Sequence, residues 1–219
     1  KELSGEYNKA ITSEIKQDDI TLERVELNLT VNKDKTTQRL LVFSRNTEKG
    51  HRCSIGYAVN KDGNLVPIVR PAFCFFPTKE VTNLNFILQA PFLLTDSREG
   101  IKAGEKHNQE LIQHLARLAA ESLPILRDEK LIDDGLLDII PYDPTKFSSS
   151  DDSAKISFKP FFEQIKHKLQ NETLLPASNG EYAAKSHSYW ASDAELVELL
   201  SDCIFRDDLA SDFGMSRPP

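Results

Sequence analysis

"TQRLLVFSRNTEKGHRCSIGYAVNKDGN", Thr37 to Asn64, decides the architecture. Two apolar-rich runs, Thr37–Arg45 and His51–Val59, are separated by Asn46–Gly50 and followed by Asn60–Asn64. The runs read as strands and "NTEKG" as the turn between them. In the second turn, Asp62-Gly63 is a strong hairpin signal, because such turns need positive φ. Upstream, Val25, Leu27, Leu29 and Val31 alternate with polar residues from Ile20 on, the period of a half-buried strand. Asn32–Lys35 turns the chain. Residues 1–19 are polar, and Glu14–Asp19 reads as a helix end or a linker.

Downstream of the hairpin, Leu65–Phe76 predicts one or two strand segments; Pro67 and Pro71 point to edges or bulges. Leu84–Leu94 is the most continuous apolar run and predicts a buried strand interrupted by Pro91. The period then becomes helical. Leu111, Ile112, Leu115, Leu118 and Ala119 share one face of Glu105–Ser122, with Glu110, Gln113 and Arg117 opposite. Pro124 is expected to end or kink this helix. A short helix is expected over roughly Asp128–Ile140. Pro141–Ser153, rich in Pro, Ser and Asp, reads as a linker. Beyond it, Phe158, Phe161, Phe162, Ile165 and Leu169 predict a second amphipathic helix. Turns and a short strand pair are expected around Asn179-Gly180. A capping box at Ser192–Glu195 opens a last short helix through Leu200.

The expected fold is therefore α+β: a mixed, mostly antiparallel sheet with helices on one face, plus a smaller, mainly helical C-terminal subdomain. The expected organisation is 1–19 as helix end or linker, 20–142 as the α/β domain, 143–153 as linker, 154–206 as the α-rich subdomain and 207–219 as a frayed tail.

The 219 residues are 39% hydrophobic and 28% charged, with a net charge of -7. Such a composition supports a packed core and disfavours a nucleic-acid partner, since no dense Lys/Arg cluster offsets the acidic field. No apolar run approaches the roughly 20 residues that cross a bilayer. Cys53, Cys74 and Cys203 are an odd, widely spaced set, which fits a reducing, cytoplasmic setting. The chain begins at Lys1 and its one methionine is Met215, so a segment of a longer protein is expected.

Several chemistries lack their motifs. There is no Gly-rich phosphate loop, no G-x-S-x-G elbow and no zinc spacing. His107 and His114, seven apart, read as solvated helix residues, so no metal site is expected. Asp133-Asp134 and Asp151-Asp152 read as solvated pairs. Tyr189 and Trp190 read as anchors of a small core.

One stretch stands apart. In "APFLLTDSREGI", Ala90–Ile101, an apolar run stops at Thr95-Asp96-Ser97-Arg98. One reading is a helix cap, with Thr95 or Asp96 accepting from backbone N–H groups, Glu99 completing the box and Gly100 permitting a bend. The other is a phosphate-directed arginine, since a guanidinium fork matches phosphate oxygens. Arginine fingers raise nucleotide hydrolysis by roughly 10³–10⁵.

The surrounding residues resemble a known phrase. Phe76-Pro77-Thr78, Glu80, Thr82, Leu84, Phe92-Leu93-Leu94-Thr95, Arg98, Asn108 and Leu111 resemble the segment after the ATP-binding domain in sacsin-like and heat-shock-chaperone-like GHKL ATPases. Ser97-Arg98-Glu99 is similar to a Ser-Arg-Glu in the middle domain of the ninety-kilodalton heat-shock chaperones. Leu174–Ser192 is similar to a later segment of the sacsin-like bacterial proteins. The resemblance covers about residues 20–200. It implies a transducer-like middle region with a fold like domain two of ribosomal protein S-five. It also implies that Arg98 contacts the γ-phosphate of ATP, bound with Mg on an upstream domain of the same protein, with Ser97 and Lys102 as further phosphate contacts. One departure is that Gly100, Gly104 and a short charged stretch separate Arg98 from the helix. The fragment alone is then not an enzyme, and its parent is an ATPase. Oligomers of the parent are compatible with this. The alternative is a non-catalytic module that docks clients or partners through the helices at Phe158–Leu169 and Ser192–Leu200.

Overall fold

The computed structural model describes residues 5–31, 34–132, 135–141, 143–147, 155–176 and 181–184. The chain divides into two units, Lys1–Ile165 and Lys166–Pro219. The expected linker at 143–153 falls inside the first unit. The capping box at Ser192–Glu195, Trp190, Cys203 and the tail lie outside the described residues, as do Asp133, Asp134, Asp151 and Asp152.

In the first unit, four long strands run antiparallel: β1 (Gly5–Gln17), β2 (Ile20–Val31), β3 (Asp34–Asn46) and β4 (Arg52–Val59). The alternation in the sequence sets β2, β3 and β4. The polar segment expected as a helix end or linker is instead β1, and it pairs with β2 along its whole length. Short strands follow: β5 (Leu65–Val66), β6 (Phe73–Cys74), β7 (Phe76–Pro77) and β8 (Ile87–Gln89). The sheet order is β1-β2-β3-β4-β8-β6-β7, with β5 beside β4. Only β6 and β8 pair in parallel among the described strands. The architecture is α+β around an antiparallel sheet. The run Leu84–Leu94 supplies just the three residues of β8, because Pro91 lacks the N–H a ladder needs.

The turn at Asn60–Asn64 is an Asn-anchored hairpin. Asn60 Oδ1 accepts from the N–H groups of Asp62 (2.9 Å) and Asn64 (3.0 Å), and Gly63 takes φ +91°. A side chain there would be strained.

The helix α1 (Lys106–Asp128) lies on one face of the sheet. Leu111, Ile112, Leu115, Leu118 and Ala119 are buried, as the periodicity requires. On the sheet, Leu22, Leu41, Phe43, Ile55, Tyr57 and Leu88 share one face by register and are almost fully buried. The Tyr57 hydroxyl sits 2.9 Å from Ser122 Oγ, so the one polar tip in this layer has a partner. Burial without charged neighbours pushes its pKa upward. Arg24–Glu129 (3.2 Å) and Arg45–Glu121 tie the same sheet face to the helix rim. Pro124 does not end the helix, which continues to Asp128. Leu123, Ile125 and Leu126 are buried around it, and their burial outweighs the lost helix hydrogen bond.

The opposite sheet face carries a second apolar group: Val25, Leu40, Ala58 and Ile68, with half-buried Leu27, Val42, Val66 and Ile87 against it. The short helix expected over 128–140 is, within the described residues, one turn, α2 (Leu136–Ile139). A single 3-10 turn (Pro144–Phe147) precedes α3 (Lys159–Asn171). Phe158, Phe161 and Ile165 are buried, and the Phe161 ring lies 5.9 Å from that of Phe86. Phe162 and Leu169, on the same apolar run, are half-buried.

The described part of the second unit contains the end of α3 and a strand pair, β9 (Leu175–Pro176) with β10 (Tyr182–Ala183).

Candidate functional site

The residues Thr95–Gly100 do not cap a helix. They form a hairpin loop closed by the antiparallel bridge Leu94–Ile101. Thr95 N–H donates to Gly100 O (2.8 Å), Arg98 N–H to Thr95 O (2.8 Å), and Gly100 N–H to Thr95 Oγ1 (3.1 Å). Ser97 Oγ lies 3.1 Å from Thr95 Oγ1. Helix α1 starts only at Lys106, after Glu105, whose side chain makes no cap bond. Glu99, expected in a capping box, pairs instead with Lys79 (2.7 Å). Asp96 is fully exposed and lies 3.7 Å from Lys102 Nζ.

Gly100 does not supply the left-handed residue. Arg98 does, with φ +59°. That conformation costs an L-residue about 1–2 kcal/mol. Gly100 is needed for space: a Cβ there would stand 3.1 Å from Glu80 Oε1 and 3.4 Å from Thr95 Cγ2. Glu80 uses that same oxygen to accept from Ile101 N–H (3.0 Å). A second tie joins Lys79 N–H to Glu99 O (2.6 Å). The segment behind it is held by two buried threonines. Thr78 Oγ1 donates to Ala72 O (2.7 Å) and accepts from Glu80 N–H (3.1 Å). Thr82 Oγ1 donates to Arg70 O (3.4 Å) and accepts from Leu84 N–H (3.2 Å).

From below, Asn108 locks the loop to α1. Its Oδ1 accepts from Leu93 N–H (2.8 Å), and its Nδ2 donates to Leu93 O and Lys102 O (both 2.8 Å). The side chain is wholly buried. Its polarity stands out in the sequence at a position in phase with Leu111, Ile112 and Leu115, a signal that finds it without any structure.

The hairpin's anchors are therefore internal, and its tip faces water. Arg98 is exposed, and among the described residues no carboxylate or carbonyl accepts from its guanidinium. Of the three residues expected to meet phosphate, Arg98 has no acceptor among the described residues, Ser97 Oγ lies beside Thr95 Oγ1, and Lys102 Nζ stands 3.7 Å from exposed Asp96. Phe75 and Phe76, in the adjoining β6–β7 hairpin, are 75% and 79% exposed.

No family model matches this chain, and no curated protein or solved structure is significantly similar to it. The site is therefore argued on geometry and residue chemistry.

The two helix histidines part company. His107 packs edge-on against His51, with ring centroids 5.1 Å apart, and its Nε2 lies 3.3 Å from Pro91 O. Beside them, Lys49 bonds Glu110 (3.0 Å) and holds that carboxyl below its usual pKa. Among the described residues no three metal-binding side chains come together. Cys53 and Cys74 are free thiols. Among the described residues, no helix is long and apolar enough to cross a membrane.

Proposed function

We propose that this chain is a transducer-like middle region of a GHKL-type ATPase and that Arg98 reaches the γ-phosphate of ATP held by another domain. The carrying observation is the Arg98 hairpin: an exposed guanidinium, free of any acceptor among the described residues, on a loop anchored at Lys79, Glu80 and Asn108. An arginine stabilises developing charge only if it is positioned before the reaction, and these anchors provide that positioning. ATP and its Mg would be bound chiefly on the other domain; this chain would contribute one cationic contact. The α+β sheet with α1 on one face is compatible with the implied fold, like domain two of ribosomal protein S-five. A cytoplasmic location fits the free thiols of Cys53 and Cys74.

The test uses the longer protein with its ATP-binding domain. Arg98→Ala should leave ATP binding intact and lower hydrolysis at least about tenfold. Unchanged hydrolysis sinks the proposal.

A second reading, a docking module for partner proteins, is favoured by exposed Phe75, Phe76, Val69 and Val81. It moves the docking surface from the helices to the β6–β7 hairpin. Phe75→Ser with Phe76→Ser should then abolish partner capture without changing the far-ultraviolet spectrum; capture at the wild-type level would count against it.

A further inference from the structure

β1 ends the sheet and pairs with β2 alone, so a row of backbone groups along 13 residues has no ladder partner among the described strands. Edges of this length are normally blunted by proline, by charged side chains, by a bulge or by a covering segment. β1 contains no proline, and its charges balance: Glu6, Lys9, Glu14 and Lys16. Tyr7 is 63% and Ile11 50% exposed on the same strand.

The bulge in β1 matters most. The register shifts between Ile11 and Ser13. Before it, Tyr7, Lys9 and Ile11 oppose Leu29, Leu27 and Val25; after it, Glu14 and Lys16 oppose Glu23 and Thr21. These β2 residues alternate regularly, so all five β1 residues lie on one face. Without the extra residue, Lys9 and Glu14 would point to opposite faces.

We infer that two copies of this chain join edge to edge, β1 antiparallel to β1, about a two-fold axis at Ile11–Thr12. In that register Lys9 faces the second copy's Glu14, and Tyr7 faces its Lys16, where the ring can meet the ammonium group. Glu6 faces Gln17, Asn8 faces Ile15, and Ala10 faces Ser13. Each of these pairs shares a face. Ile11 faces the second copy's Thr12, and the two Ile11 side chains flank the axis diagonally and lose exposure. Symmetry repeats each pair, as an isologous interface requires. The charge pattern of the edge is thus complementary to itself.

Sedimentation equilibrium on the 219-residue chain tests this. A reversible dimer is expected by about 100 µM protein, a range set by the affinity scale of modest interfaces. Lys9→Glu alone and Glu14→Lys alone should each weaken it about tenfold, since each sets like charges opposite one another at both symmetry-related sites. The double variant Lys9→Glu/Glu14→Lys should restore the dimer to within about threefold of wild type. These residues are exposed, so circular dichroism should be unchanged in every variant. A chain that stays monomeric, or a dimer indifferent to the single reversals, overturns the inference. So does a double variant no better than the singles.

Discussion

At the level of single residues, the loop divides its tasks in a way its letters do not announce. Gly100 looks like the flexible member, yet Arg98 takes the left-handed conformation and Gly100 the close approach to Glu80. Arg98→Gly should therefore raise the urea midpoint, by about 1 kcal/mol of stability, while removing the guanidinium. A loss of stability would mean that the arginine makes contacts the geometry does not show. Asn108→Ala should cost about 2–4 kcal/mol in the same assay, because Leu93 and Lys102 lose buried partners. The oddity of Arg98 was legible in the sequence; its backbone was not, since nothing local marks a non-glycine for positive φ. Cys53 offers a pH test. Burial pushes its thiol up to about 11 from 9.0. The folded pKa lies above the unfolded one, so the contribution is complete below about pH 9 and is lost as pH rises toward 11. Stability should fall through that window, and Cys53→Ala should fall less steeply; parallel curves would refute the assignment.

At the level of elements, alternation made β2, β3 and β4 readable, and periodicity made α1 and α3 readable. β1 hid because its apolar residues, Tyr7, Ile11 and Ile15, stand four apart, a helical spacing. The bulge that breaks its period also removed the strand signal. Pro124 misled in the opposite sense. A helix-stopping residue was overruled by the leucines and isoleucine buried beside it. Pro124→Ala should then stabilise the protein by about 1–3 kcal/mol, by restoring a backbone N–H and relieving the Ala120 carbonyl. Thermal unfolding would show it, and a lower melting temperature would mean that the ring itself is needed for packing.

Across the molecule, one sheet supports two apolar layers of unequal depth. Neighbours on β3 sample both: Leu41 is 1% exposed beneath α1, and Leu40 is 9% exposed on the far face. Leu41→Ala should cost about 3–5 kcal/mol and Leu40→Ala nearer 2, by denaturant titration. Equal losses would mean that the far face is as well filled as the helix side. The division of the chain between Ile165 and Lys166 carries no composition signal of its own, since it falls inside the amphipathic run of α3. The anchoring of the Arg98 hairpin has a further consequence, for amide exchange with deuterated water. Lys79, Leu93, Gly100 and Ile101 donate to fixed acceptors at its base, whereas Asp96 and Ser97 make no such bond in the structure described above. Protection should drop by orders of magnitude within three residues. A gradient that steep would mark Asp96 and Ser97 as the exchanging tip, and the Arg98 N–H, held by Thr95 O, should stay on the slow side of it.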